Sequence, residues 1–180
     1  MVLSTILKKM LIARAFTNEK GRIRLYNKMD WSLIPSWVFG DLLQKLGELK
    51  GEKYLYDLGY DQGNKIALEM LNSMGMKPRS GWIAQNAVIA TLDFIGFGML
   101  KFMKNDVKSD GHHHIILHVI DHPVTDQARK MFGEKSMVCS WFRGVYAAHG
   151  ETELGLKNVV FKENKCVCKG DPYCEWESKW

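Results

Sequence analysis

The chain has 180 residues, 46% hydrophobic and 25% charged, the balance of one globular domain long enough to bury a core without disulfides. Its net charge of +5 is spread along the sequence with no basic run longer than Lys8-Lys9, which argues against a nucleic-acid footprint. No stretch reaches the ~20 apolar residues of a spanning helix, and the N-terminal apolar stretch is broken by Lys8-Lys9 and lacks a small-residue cleavage site; a cytoplasmic protein with reduced cysteines is expected.

Residues 1–15 are amphipathic and suit a helix or an arm on a partner subunit. Gly21 to Tyr26 alternates as a short strand does. Asp30-Trp31-Ser32 offers caps for a helix over about Ile34–Leu49, in which Trp37, Val38, Leu42, Leu43 and Leu46 recur at helical spacing. A second helix is expected from Glu52 to Met74, with Gly59 and Gly63 four apart on one face. Such glycines mark either close approach of another backbone or room for a ligand. After the break at Lys77 to Gly81, a third helix spans Trp82–Phe94.

Gly96-Phe97-Gly98 then turns the chain into a strand, Met99–Lys104, joined by the polar loop Asn105–Gly111 to a second strand, His112–Ile120. Pro123 ends that strand, and Thr125 or Asp126 can cap a short helix to about Phe132. Ser136 can cap the next helix, with Val138, Trp141, Phe142, Val145 and Tyr146 as its apolar stripe and Gly150 as its stop. Lys157–Glu163 and Tyr173–Glu177 complete the strands, separated by the turn Gly170-Asp171-Pro172. Helices come mainly first and strands later, which predicts an α+β fold with helices packed on an antiparallel sheet.

Three cysteines fall within nine residues, Cys166, Cys168 and Cys174, and Cys139 lies on the preceding helix. A reduced chain that clusters thiols without the two-residue thioredoxin spacing points to a metal rather than to redox chemistry. Zinc takes thiolate, imidazole or carboxylate ligands in a closed tetrahedron. Asn164-Lys165 can turn Glu163 inward beside Cys166, while Cys168 shares a strand face with Cys166. The fourth ligand therefore stays open between Glu163 and Cys168, and four buried free thiols are the plain alternative.

The run Cys139-Ser140-Trp141-Phe142-Arg143-Gly144, the pair Glu163 and Cys166, and Gly170-Asp171-Pro172-Tyr173-Cys174-Glu175-Trp176 together resemble the 4-vinyl reductase domain family, as does Gly96-Phe97-Gly98 before a strand. The resemblance covers about 80–178. It implies a small-molecule-binding fold related to subunits of vesicle-tethering complexes and to sensor domains of bacterial activators that respond to aromatic compounds. In those sensors the matching positions hold zinc through three cysteines and one glutamate. Carried over, the implied ligands are Cys139, Glu163, Cys166 and Cys174, with Cys168 as an extra thiol and alternative ligand. Zinc with four protein ligands would be structural, with no position left for a catalytic water.

His112-His113-His114 resembles a surface metal tract. His118 shares a strand face with Ile116 and Ile120, so it is either a satisfied core histidine or a polar anchor in an apolar pocket. In the sensors the corresponding sheet region lines the effector cavity. Phe161, Phe142, Tyr146, Phe94 and Phe97 could wall such a cavity or fill a solid core.

These readings combine into a single domain over 1–180, with 1–30 as an arm able to form a homodimer. Its expected role is to bind an apolar or aromatic small molecule as a stand-alone sensor with structural zinc. No dinucleotide fingerprint, P-loop or other cofactor motif is present, so an enzyme is the less favoured reading. The alternatives are a subunit of a tetrapyrrole-linked vinyl reductase and an assembly subunit of the tethering type.

Overall fold

The computed structural model describes residues 16–19, 22–26, 28–79, 81–94 and 96–180, with the backbone alone at 16, 19, 84, 88 and 94. The expected N-terminal helix or arm over 1–15 lies outside them, as does Gly21. Among the described residues, three short antiparallel strands come first, β1 (Phe16–Glu19), β2 (Arg22–Leu25) and β3 (Met29–Trp31). Helices α1 (Ser36–Lys50), α2 (Glu52–Ser73) and α3 (Trp82–Phe94) follow. Strands β4 (Met99–Val107) and β5 (His113–Ile120) precede α4 (Pro123–Phe132) and α5 (Val138–Leu154), and β6 (Lys162–Lys165) and β7 (Cys174–Lys179) end the fold. The second sheet is antiparallel throughout, in the order β4-β5-β7-β6.

The core lies between α5 and the inner face of this sheet. Ile115, Leu117 and Val119 of β5 and Cys174 and Trp176 of β7 point inward, and Val138, Phe142, Val145 and Ala147 of α5 meet them as part of one buried cluster. The opposite face of α5 crosses α2 at very short range. A Cβ at Gly63 would lie 2.7 Å from Val145 Cα and O, and Cβ atoms at Gly59 and Gly144 would run into the backbones of Trp141 and Tyr56. Of the two meanings open for the spaced glycines, the structure shows close backbone approach.

Four boundaries differ from the sequence expectations for local physical reasons. Helix α5 does not stop at Gly150 but continues to Leu154, and the left-handed residue that ends it is Gly155 (φ 71°). Residues 157–161 form no strand, because side chains take their backbone groups. Glu151 Oε1 accepts from Val159 N at 2.8 Å, Ser178 Oγ from Val160 N at 3.2 Å, and Tyr56 OH donates to Val159 O. The hairpin loop is shorter than expected, since β4 runs on to Val107 with a register shift between Phe102 and Lys104. Helix α4 is capped one turn earlier than expected, by His122, whose Nδ1 accepts from Thr125 N.

Candidate functional site: a thiol cluster and an apolar cavity

Cys139 sits in the first turn of α5, where buried Gln44 pins the entry to the helix. Its Oε1 accepts from Met137 N at 2.9 Å and its Nε2 donates to Lys135 O at 3.1 Å. Cys166 follows β6, whose register shifts between Glu163 and Lys165. That bulge, rather than a free turn, lets Glu163 and Cys166 both be withdrawn from solvent. Beyond it, Lys169 N and Asp171 N both donate to Cys166 O, Gly170 is left-handed (φ 96°), and Asp171 Oδ2 accepts from Cys166 N at 2.8 Å. This tight knuckle returns the chain to Cys174 at the start of β7.

Cys139, Cys166 and Cys174 thus meet, fully buried, with their sulfurs within 4.8 Å of one another. Cys139 Sγ lies 3.5 Å from Cys166 Sγ and 3.9 Å from Cys174 Sγ. A disulfide needs about 2.05 Å. A tetrahedron of Zn–S bonds of about 2.3 Å has S···S edges of roughly 3.8 Å, so the spacing fits metal ligation. Val167 N donates to Cys174 Sγ at 3.4 Å. Hydrogen bonds from Cys139, and then from Cys168 and Cys174, hold the Cys166 thiol well below the usual thiol range, while Cys139 is pushed up chiefly by its bond with Cys166.

Glu163 is largely withdrawn from solvent beside the trio. Its Oε2 accepts from Lys169 Nζ at 2.9 Å, and its Oε1 is buried with no partner among the described residues. Burial raises its pKa, and Lys169 opposes that. Cys168 is buried as well; like Glu163 it lies outside the mutually close trio, and its thiol donates to Thr125 O at 3.7 Å while also bonding Cys139 and Cys166.

The second feature is a cavity of about 30 Å³ between α3, α5, the inner faces of β4 and β5, and Phe161. That is room for one or two waters. Its walls are mainly apolar, with Leu92, Leu100, Phe102, Leu117, Tyr146 and Phe161 prominent. Of the residues the sequence named for a pocket, Tyr146 and Phe161 line this cavity. Tyr146 OH donates to Phe97 O at 2.8 Å.

His118 and Ile116 are not there. The strand alternation that buries Ile115, Leu117 and Val119 turns Ile116 and His118 to the outer face of the sheet. There His118 Nε2 bonds Glu175 Oε2 at 2.7 Å, and its ring stacks on Tyr173. Phe142 is fully buried against Phe97, Trp141 and His122, away from the cavity. Phe97 instead faces a separate open apolar groove with Trp31, Ile34, Phe39 and Trp141. The Phe94 side chain lies outside the described residues. The histidine tract does not converge on one site. His112 stacks on Trp180, His113 Nε2 bonds Ser178 Oγ at 2.8 Å inside the protein, and His114 Nε2 bonds Glu177 Oε1 at 2.7 Å.

Three polar cavity residues were not anticipated: Gln85 on α3, and His149 and Glu153 on α5. Ending α5 at Gly150 concealed Glu153, while Gln85 and His149 lie within helices the sequence did predict. With the helix extended, His149 and Glu153 stand four apart on the face of Tyr146.

Among the solved structures, that of the phenol-responsive sensory domain of the transcription activator PoxR with phenol matches 99% of this chain and 91% of that chain, with a TM-score of 0.69 at 18% sequence identity. At this identity the likeness establishes the fold, α+β with helices on antiparallel sheets. No protein-family model matches the sequence, and no curated protein matches it. No helix among the described residues is long and apolar enough to cross a membrane.

Proposed function

We propose that the protein is a sensory-type domain that binds a small apolar or aromatic molecule between α3, α5 and the second sheet, and that zinc on the thiol cluster clamps the C-terminal strands. The observation that carries this reading is the apolar cavity at that place in a fold shared, over nearly the whole chain, with a sensory domain described as phenol-responsive. The finer placement within the 4-vinyl reductase domain family rests on the spacing of Cys139, Glu163, Cys166 and Cys174 and is part of the proposal.

Cys139, Cys166 and Cys174 would hold the metal with Glu163, whose orphaned Oε1 is the available fourth donor. Zinc so held would supply structural cross-linking of α5 to β6 and β7, not catalysis. Ligand sites usually measure several hundred Å³, so a ring enters only if a wall yields. Helix α3 is the wall best suited to do so. Gly81 (φ 67°) and Gly96 (φ 87°) flank it in the left-handed region, and a Cβ at Gly81 would meet nothing within 4 Å.

The homodimer is kept in the proposal because Leu33, Ile34, Trp37 and Leu42 are exposed together near the start of α1, Trp37 by 55%. Thermal unfolding against a panel of one-ring aromatic compounds tests the binding reading. One or more should raise the midpoint in a concentration-dependent way. A flat response to aromatic and aliphatic compounds alike would leave a filled core and favour the assembly role.

A further inference from the structure

The cavity walls are mainly hydrocarbon, but α5 and α3 add three buried polar side chains to them. His149, Glu153 and Gln85 are 4%, 3% and 4% exposed. His149 Nδ1 bonds Glu153 Oε1 at 2.5 Å. His149 Nε2 and Gln85 Oε1 are both buried with no hydrogen-bond partner among the described residues. Buried polar groups are nearly always satisfied, and orphans concentrated in a cavity call for a partner. The other polar group of the wall, the Tyr146 hydroxyl, is already engaged with Phe97 O.

The chemistry of the missing partner follows from what each orphan can do. A neutral imidazole that donates Nδ1–H to the Glu153 carboxylate presents Nε2 as an acceptor. Gln85 Oε1 is an acceptor too. Two acceptors facing apolar walls are complemented by a hydrogen-bond donor on an apolar body. A hydrocarbon would leave both unsatisfied, and an ether or ketone would bring a third acceptor to them.

Resting on the binding reading above, we infer that the cavity selects a small apolar molecule carrying an O–H or N–H donor, and that His149 Nε2, positioned by Glu153, receives that donor with Gln85 Oε1 beside it. His149 and Gln85 are then specificity residues, and Glu153 is a positioning residue that fixes the imidazole tautomer. A site built around a donor penalises the analogue lacking it, because the acceptors stay unpaired.

The test is calorimetric titration of the purified full chain with phenol and with anisole, its methyl ether, which has no donor. The wild type should bind phenol at least tenfold tighter than anisole. His149→Leu should bring the ratio within about threefold by weakening phenol alone, and His149→Gln, which restores an acceptor, should recover part of it. Gln85→Leu, which leaves the His149–Glu153 hydrogen bond in place, gives a second reading if His149→Leu fails to fold, and it should at least halve the preference. Equal binding of phenol and anisole by the wild type would overturn the inference while leaving the binding reading standing. So would a preference that survives in the variants. If the wild type binds neither probe, the inference falls together with that reading.

Discussion

Gly63 on α2 faces Val145 on α5, the helix that carries Cys139, Tyr146, His149 and Glu153. A Cβ there would lie 2.7 Å from Val145 Cα and O and 3.1 Å from its carbonyl carbon. Ordinary contacts of this kind begin near 3.4 Å, so Gly63→Ala must separate the two backbones by roughly 0.7 Å. A gap of that size forfeits about a quarter to a half of the dispersion between facing atoms, and overpacking typically costs about 1–3 kcal/mol. Alanine returns about 1 kcal/mol of helix propensity. The net expectation is a loss of up to about 2 kcal/mol, or up to about 8 °C in Tm for a chain of this size. Gly150→Ala is the matched control. It lies on α5, and its Cβ would be 3.4 Å from Leu156 Cδ1 and 3.8 Å from Val159 methyls, so it should be neutral or slightly stabilising. Paired thermal or urea unfolding of the two variants reads the difference. A Gly63→Ala protein as stable as Gly150→Ala would refute the claim that close backbone approach sets the α2–α5 crossing.

Two further predictions concern acid and metal. His122 is fully buried, and burial lowers its pKa from 6.5 to about 3. The folded protein therefore keeps the imidazole neutral while the unfolded chain protonates it below pH 6.5, so stability is lost as pH falls from 6.5 towards 3, at roughly 1.4 kcal/mol per unit. His122→Asn, which can still cap α4, should lose about 2 kcal/mol less than the wild type between pH 7 and pH 5 in urea titrations; parallel losses would remove His122 as the cause. For the metal, Cys174→Ala should abolish zinc retention and lower Tm, Glu163→Gln should weaken retention, and Cys168→Ser should leave it unchanged. Metal analysis after dialysis separates these cases. Zinc lost in Cys168→Ser but kept in Glu163→Gln would make the site all-thiol.

Much of the fold was legible because its signals are local. The helices over 36–50, 52–73 and 82–94 announce themselves through periodicity and glycine breaks; the caps expected at Asp30-Trp31-Ser32 do not form, because residues 29–31 are strand and α1 starts after Pro35 with no side-chain cap. Cys166 and Cys174 declare their proximity through the Gly170-Asp171-Pro172 turn between them. The illegible parts depend on distant partners. Val159 and Val160 look like a strand, but Glu151, Tyr56 and Ser178 capture their backbone groups. His118 looks inward by alternation with Ile116 and Ile120, yet the buried face of β5 is that of Ile115, Leu117 and Val119. On a strand apolar on both sides, only the packing of α5 decides which face is the core. Glu153 in the cavity wall was hidden by a misplaced boundary, since Gly150 permits a helix stop without requiring one, whereas Gln85 and His149 meet only through tertiary packing.

The central claim joins a zinc clamp to a small-molecule site, and native mass spectrometry of the protein as purified, repeated after denaturation, tests both together. The account predicts one zinc per chain, released on unfolding, and a folded protein that gains the mass of a one-ring donor such as phenol when it is supplied. A folded protein with no zinc, four free thiols and no adduct at any phenol concentration would contradict it.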